Sequence, residues 1–243
     1  MRQDRARELV AGFVAQPSRG GWLSHEQTAE LFGCYGVPLA VSTVVATEQA
    51  AIAAAARFDG PVTLRADAPG LLRIGDARDM LTARHGPDEV RREFGSLQET
   101  FGSRLVGVIV QPVVTGGVEV AISVLHEQVA GPLVLFSVDG AGGDALTDRA
   151  ARLAPLTDAD AEDLMRSVRA APRLLGLSDA KSADLPALRD MLLRVSRMVE
   201  DLPAIAELEL SPIIARPDNV QAVDGRVRIQ AAEPIDVHLR RLP

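Results

Sequence analysis

The chain has 243 residues, 47% of them apolar and 24% charged, with a formal net charge of −7. That length and balance suit one large or two modest folded domains with a proper core. The negative charge excludes a general binder of nucleic-acid backbone, which needs Lys and Arg to neutralise phosphates, and the single cysteine, Cys34, excludes an internal disulfide and a zinc–thiolate cluster.

No apolar run reaches the length of a membrane span, and the opening Met-Arg-Gln-Asp-Arg-Ala-Arg is not followed by a signal-peptide core. A cytoplasmic protein without a membrane partner is expected. Residues 2–15 read as a polar helix with an apolar stripe at Leu9, Val10, Phe13 and Val14, broken at Gly20-Gly21. Ser24-His-Glu-Gln27 is a capping box. The helix it starts runs to about Cys34 and closes at Gly36. Leu39 to Val45 is β-branched and strand-like, and Thr47 then caps an alanine-rich helix to Arg57. After the turn Asp59-Gly-Pro61, Val62-Thr-Leu-Arg65 is a strand with Val62 and Leu64 on one face and Thr63 and Arg65 on the other.

Gly86-Pro87-Asp88 starts a helix whose Val90, Phe94, Leu97 and Phe101 form a core stripe. Leu105 to Gln111 is an apolar strand and Pro112 to Gly117 a turn; in the next strand Val118, Val120 and Ile122 alternate with Glu119, Ala121 and Ser123. Leu133 to Val138 is a further strand, feeding the loop Asp139-Gly-Ala-Gly142-Gly-Asp144-Ala145. Gly140-x-Gly142-x-x-Ala145 matches the dinucleotide fingerprint in isolation. Pro155 interrupts the helix that should follow, and no βαβ unit with an acidic ribose partner lies downstream, so that reading is rejected. Thr157 and Asp184 cap two outer helices. Two short strands follow, joined at Pro217-Asp-Asn219. In the first, Glu207, Glu209 and Ser211 share a face opposite Leu208 and Leu210; with Asp224 they offer the oxygens that magnesium prefers. Spacing alone favours a solvated strand face over a metal site. Arg226-Val-Arg-Ile229 then leads into an extended tail. The four histidines lack zinc spacing, and no Gly-x-Ser-x-Gly occurs.

The hairpin Glu207-Leu-Glu-Leu-Ser-Pro212 with Ala222-Val-Asp224 resembles the ATP-grasp hairpin of the NDP-forming acyl-CoA synthetases, relatives of the succinyl-CoA synthetase β chain. The order of Ser cap, helix, Tyr35-Gly-Val-Pro38, strand, helix and Gly60-Pro-Val-Thr-Leu-Arg65 resembles the opening of the same domain, so both ends of the chain carry the likeness. The resemblance implies an α/β ATP-grasp fold: N-terminal helices over 1–35, a small lobe over 36–110, a large lobe over 111–243, and nucleotide between two sheets. It implies Arg65, Gln111 and Glu119 as nucleotide-binding residues. Arg65 stands where relatives carry a phosphate-contacting Lys, and Gln111 and Glu119 keep the frame of the purine-binding hinge. It implies Asp144, Ser211 and Asp224 on the magnesium side, Ser211 replacing an Asn.

Other positions depart from that pattern. Arg73 replaces the phosphate-relay His, Ile74 a Lys, Arg78-Asp79 the paired glycines, and Ser137 and Asp139 two loop glycines. A guanidinium stays protonated and cannot carry a phosphoryl group. No catalytic residue is therefore assigned, and binding of ATP and magnesium is expected to be weak or lost. The wording around Thr147-Asp-Arg-Ala-Ala-Arg-Leu-Ala-Pro-Leu-Thr-Asp158 resembles actinobacterial proteins in which such a domain accompanies a GNAT protein acetyltransferase. The main expectation is thus a non-catalytic, ligand-binding or regulatory module of a protein lysine acetyltransferase. The alternative is an active β-type subunit of an ADP-forming acyl-CoA ligase, with a CoA-binding domain in cis or in trans.

Overall fold

The computed structural model describes residues 2–16, 20–68, 86–127, 130–138, 148–177 and 182–231. Two antiparallel sheets organise them. The smaller has the order β2 (Thr43–Val45), β4 (Gly107–Pro112), β3 (Val62–Asp67). Two helices cover one side of it, α3 (Glu48–Ala55) and α4 (Pro87–Phe101). Thr47 accepts the amide of Ala50 and so caps α3. Pro87 opens α4, where a missing N–H costs no helix bond. The period of two sends Val62, Leu64 and Ala66 of β3, with Val108 and Val110 of β4, against Val90, Phe94 and Leu97 of α4. The opposite face of β3 carries Thr63, Arg65 and Asp67, and all six residues of the strand are buried. That leaves three polar side chains in a water-poor place.

The larger sheet has the order β1 (Gly20–Trp22), β10 (Gly225–Gln230), β8 (Ile205–Ala215), β5 (Val118–Glu127), β6 (Gly131–Val138), β7 (Arg149–Leu153), and β9 (Val220–Ala222) pairs with β8 off that path. One of its faces meets α1 (Gln3–Val14), α2 (His25–Tyr35), α5 (Asp158–Ser167), the short α6 (Ala171–Leu174) and α7 (Leu185–Asp201) in a single core. Val120, Ile122, Val124, Val134 and Phe136 point into that core from the sheet. Leu188, Leu192, Val195 and Val199 meet them from α7 at helical spacing. On the other side, the residues of β5 and of β8 as far as Ser211 are half-buried or exposed, while Ile214 is buried.

The N-terminal elements belong to this larger core. The capping box of Ser24 and Gln27 is formed, and Gly36 closes α2 in the left-handed region at φ 70°. A β-carbon at Gly225 would collide with the Phe32 ring, so glycine is what lets β10 lie against α2. The small sheet is tied to the large one through residues 38–40: the Ala40 amide donates to Ala222 O at 2.7 Å, and the Ala222 amide to Pro38 O at 2.9 Å.

Several sequence expectations are corrected here. The segment just after Asp224 is not part of a tail: Gly225–Gln230 is an interior strand, with Val227 and Ile229 fully buried between β1 and β8, while residues 232–243 lie outside the described residues. Gly20 and Gly21 open a strand instead of only ending a helix, because a β-carbon at Gly20 would meet the Ile229 backbone at 2.7 Å. The strand expected from Leu39 is only Thr43–Val45, since Leu39 instead makes an isolated parallel bridge to Ala222. The strand β7 had no clear period-2 signal, as Arg149-Ala-Ala-Arg-Leu153 alternates neither in charge nor in size.

Candidate functional site

A cleft lies where the small sheet faces the start of β10. Its lining includes Trp22, His25, Arg65, Asp67, Ile109 and Asp224. The register of β3 on β4 sets Thr63 opposite Gln111 and Arg65 opposite Ile109, so Thr63, Arg65, Asp67, Ile109 and Gln111 lie on one sheet face.

Arg65 is the hub. It is 2% exposed, and its Nη1 lies 2.5 Å from Oδ2 of Asp224, which is 8% exposed. Its Nη2 donates to Oε1 of Gln111 at 3.2 Å. The other Asp224 oxygen, Oδ1, accepts the Gly225 amide at 2.8 Å. Three buried atoms on this face have no hydrogen-bond partner: Thr63 Oγ1, Arg65 Nε and Gln111 Nε2. A buried donor left unmade costs about 1–3 kcal/mol. Of the three residues only Arg65 lines the cleft itself; Thr63 and Gln111 lie next to it on the same sheet face.

Two titratable groups flank the hub. His25, at the first turn of α2, bonds Ser42 Oγ through Nε2 at 2.7 Å. Burial, then the positive charge of Arg65, pulls its pKa down to about 4, with Asp224 opposing, so the ring is neutral near pH 7. Burial raises the pKa of Asp67; the His25 backbone N–H and Arg65 work against that rise, while Glu26 and Asp224 add to it. Neither residue stood out in the sequence. A lone His behind a Ser cap and an acid at a strand end carry no local signal.

The residues expected to form the site fall into three groups. Arg65, Gln111 and Asp224 come together in one bonded cluster across the lobes, and Ser211 sits beside it, its amide donating to the Asp224 carbonyl at 3.2 Å. Glu119 lies apart, exposed on β5 opposite Ile214 and outside the lining of this cleft. Asp144, like Arg73, Asp139 and the rest of both loops, lies outside the described residues. The carboxylates that the hairpin pattern gathered are separately engaged: Glu209 by Arg226 at 2.6 Å, Glu207 by Arg228 at 2.7 Å. Asp224, Glu209 and Glu207 thus each face a guanidinium. Arg226 also lies over the Trp22 ring, 5.3 Å from its centre. Among the described residues no group of His, Cys, Asp and Glu is arranged to hold a metal ion, and no helix is long and apolar enough to cross a membrane.

Comparison with known proteins bears on what this cleft holds. The ATP-grasp domain family matches residues 14–229. The β subunit of the ADP-forming acetate–CoA ligase I of Pyrococcus furiosus is 27% identical over 228 residues, covering 92% of this chain and 97% of the relative. The ADP-forming 4-hydroxybutyrate–CoA ligase of Nitrosopumilus maritimus is 28% identical over 197 residues, 79% of this chain but 28% of that longer protein. A solved structure of the dinucleotide-forming acetyl-coenzyme A synthetase 1 of Ca. Korarchaeum cryptofilum, in complex with coenzyme A, Ca-AMPCP and HgCl+, superposes with a TM-score of 0.81 at 25% identity, covering 93% of this chain and all of that one. An acetyltransferase association is shown by none of these likenesses.

Proposed function

This chain belongs to the ATP-grasp family, and on that premise we propose that it binds a nucleotide between its two sheets as the β-type half of an ADP-forming acyl-CoA ligase. The observation that carries the reading is the unpaired trio on the small sheet. Thr63 Oγ1, Arg65 Nε and Gln111 Nε2 can all donate, and they await a ligand rich in acceptor oxygens and nitrogens. A nucleotide is such a ligand. Glu119, just past the 113–117 turn that joins the lobes, then faces the ribose side. The class of reaction comes from relatives described as β subunits of acetate–CoA ligases, which this chain matches over nearly their whole length. The CoA-binding half belongs to another chain or another domain.

The fit to nucleotide and to metal differs. Unpaired donors suit a nucleotide. Magnesium wants free oxygen ligands, and among the described residues Asp224, Glu209 and Glu207 are each held by an arginine. No step is therefore drawn through the metal. A second reading, a module that holds nucleotide without turning it over, is favoured by the Arg65–Asp224 pair together with Arg73 at the position resembling the phosphate-relay His. Both readings place nucleotide affinity in the range of about 0.1–1 mM, or roughly 4–5.5 kcal/mol.

Calorimetry with ADP, followed by a coupled assay of ADP release with ATP, acetate, CoA and the CoA-binding half, tests both. ADP release that requires acid and CoA supports the ligase. Nucleotide binding without release supports the second reading. A cleft that binds no nucleotide overturns both.

A further inference from the structure

Asp224 is the carboxylate at the centre of this cleft, and both of its oxygens are already engaged, Oδ2 by Arg65 Nη1 at 2.5 Å and Oδ1 by the Gly225 amide at 2.8 Å. The cation that holds it is built into the small sheet. Arg65 is 2% exposed on a strand with every residue buried, and a second anchor, Gln111 Oε1, fixes the far side of its guanidinium. A planar fork spans a carboxylate and an amide at once; a lysine ammonium is a single point charge and does not. A divalent ion on Oδ2 would stand against that guanidinium, and the neighbouring Glu209 is occupied by Arg226.

Resting on the nucleotide reading above, we propose that the guanidinium of Arg65 serves at Asp224 in place of a divalent cation, so that this cleft takes its nucleotide metal-free. The donors left over beside it, Arg65 Nε, Gln111 Nε2 and Thr63 Oγ1, bond the ligand directly. Magnesium is then neither a bridge between Asp224 and phosphate nor a condition of binding. Exchanging the fork for an ammonium releases the carboxylate and lets a metal in.

Two independent measurements test this. Manganese, a paramagnetic stand-in for magnesium, is titrated into the protein without nucleotide and followed by electron paramagnetic resonance. The parent protein is expected to hold none at Asp224; Arg65→Lys is expected to gain a site that Asp224→Asn in the same background removes. The double variant Arg65→Met/Asp224→Leu removes both charges together and serves as a folded control without the pair. In the second measurement ADP is titrated by calorimetry in EDTA and in magnesium. The parent dissociation constants are expected to agree within about threefold, and Arg65→Lys is expected to bind at least about tenfold tighter with magnesium than without. Manganese held by the parent and lost in the double variant overturns the proposal. So does a tenfold magnesium requirement in the parent, or a folded Arg65→Lys protein that gains no metal. If ADP binds none of the proteins in either buffer, the nucleotide reading fails, and the manganese titration alone decides the inference.

Discussion

Two faces of this molecule carry arginine–carboxylate pairs, and they do so under opposite conditions. On the open face of the large sheet, Arg226 meets Glu209 and Arg228 meets Glu207 across neighbouring strands, at 2.6 and 2.7 Å, with all four side chains partly in solvent. On the small sheet, Arg65 reaches across the lobes to Asp224 with both groups buried, and unpaired polar atoms remain beside it. The first pattern is locally complete: each charge has its partner one strand away, and water screens what is left. The second is incomplete within the chain, and its charges have lost their water. A row of paired charges therefore tells little about function, whereas the buried charge with spare donors is what the nucleotide proposal rests on.

Breaking the buried pair sharpens this contrast most. Removing one partner strands a charge out of water, so Asp224→Asn should destabilise the protein by about 3–5 kcal/mol in urea unfolding. An unchanged unfolding midpoint would mean that the Arg65 contact contributes nothing.

Acid probes the same region through His25. Its folded pKa, about 4, lies below the unfolded value of about 6.5, so the unfolded state takes up the proton first as pH falls. Stability should thus decline between about pH 6.5 and 4, by up to about 3 kcal/mol. Asp67 works with the opposite sign, since its raised pKa favours the folded state below that pKa and the benefit is lost as pH rises through it. His25→Gln should flatten most of the slope in a pH series of urea midpoints; an unchanged slope would assign it to other groups.

The partly exposed ladder should barely respond. Glu209→Gln should cost no more than about 1 kcal/mol, shrinking further in high salt. A loss as large as that of Asp224→Asn would erase the distinction drawn between the two faces. Glu119→Ala should have the smallest effect on stability, within about 0.5 kcal/mol, because the residue is exposed. It should still weaken ADP binding in calorimetry. Unaltered affinity would remove Glu119 from the nucleotide site.

Much of this protein was legible one element at a time. The Ser24 capping box, the α4 stripe of Val90, Phe94 and Leu97, and the alternation of β5 are local patterns, set by spacing and by groups within a few residues of one another. They sufficed for the individual helices and strands, whereas the ATP-grasp fold and the nomination of Arg65, Gln111 and Asp224 came from the family resemblance of the hairpin and the opening motifs. The sequence could also show that Arg228, Val227 and Ile229 alternate, yet it held no sign that this stretch lies inside a sheet between Gly20–Trp22 and the hairpin. That pairing joins residues some two hundred positions apart, and its register rests on packing that no local pattern encodes.

What Arg65 does was likewise decided only in three dimensions. The sequence supplied a cation at Arg65 and a carboxylate more than 150 residues away. Only the meeting of the two sheets puts Nη1 on Asp224 and buries both. Charge, hydrogen-bonding capacity and strand period belong to the residues themselves and can be read in order. Desolvation belongs to the assembled lobes, and it turns the same guanidinium from a solvated side chain into the fixed partner of a buried acid.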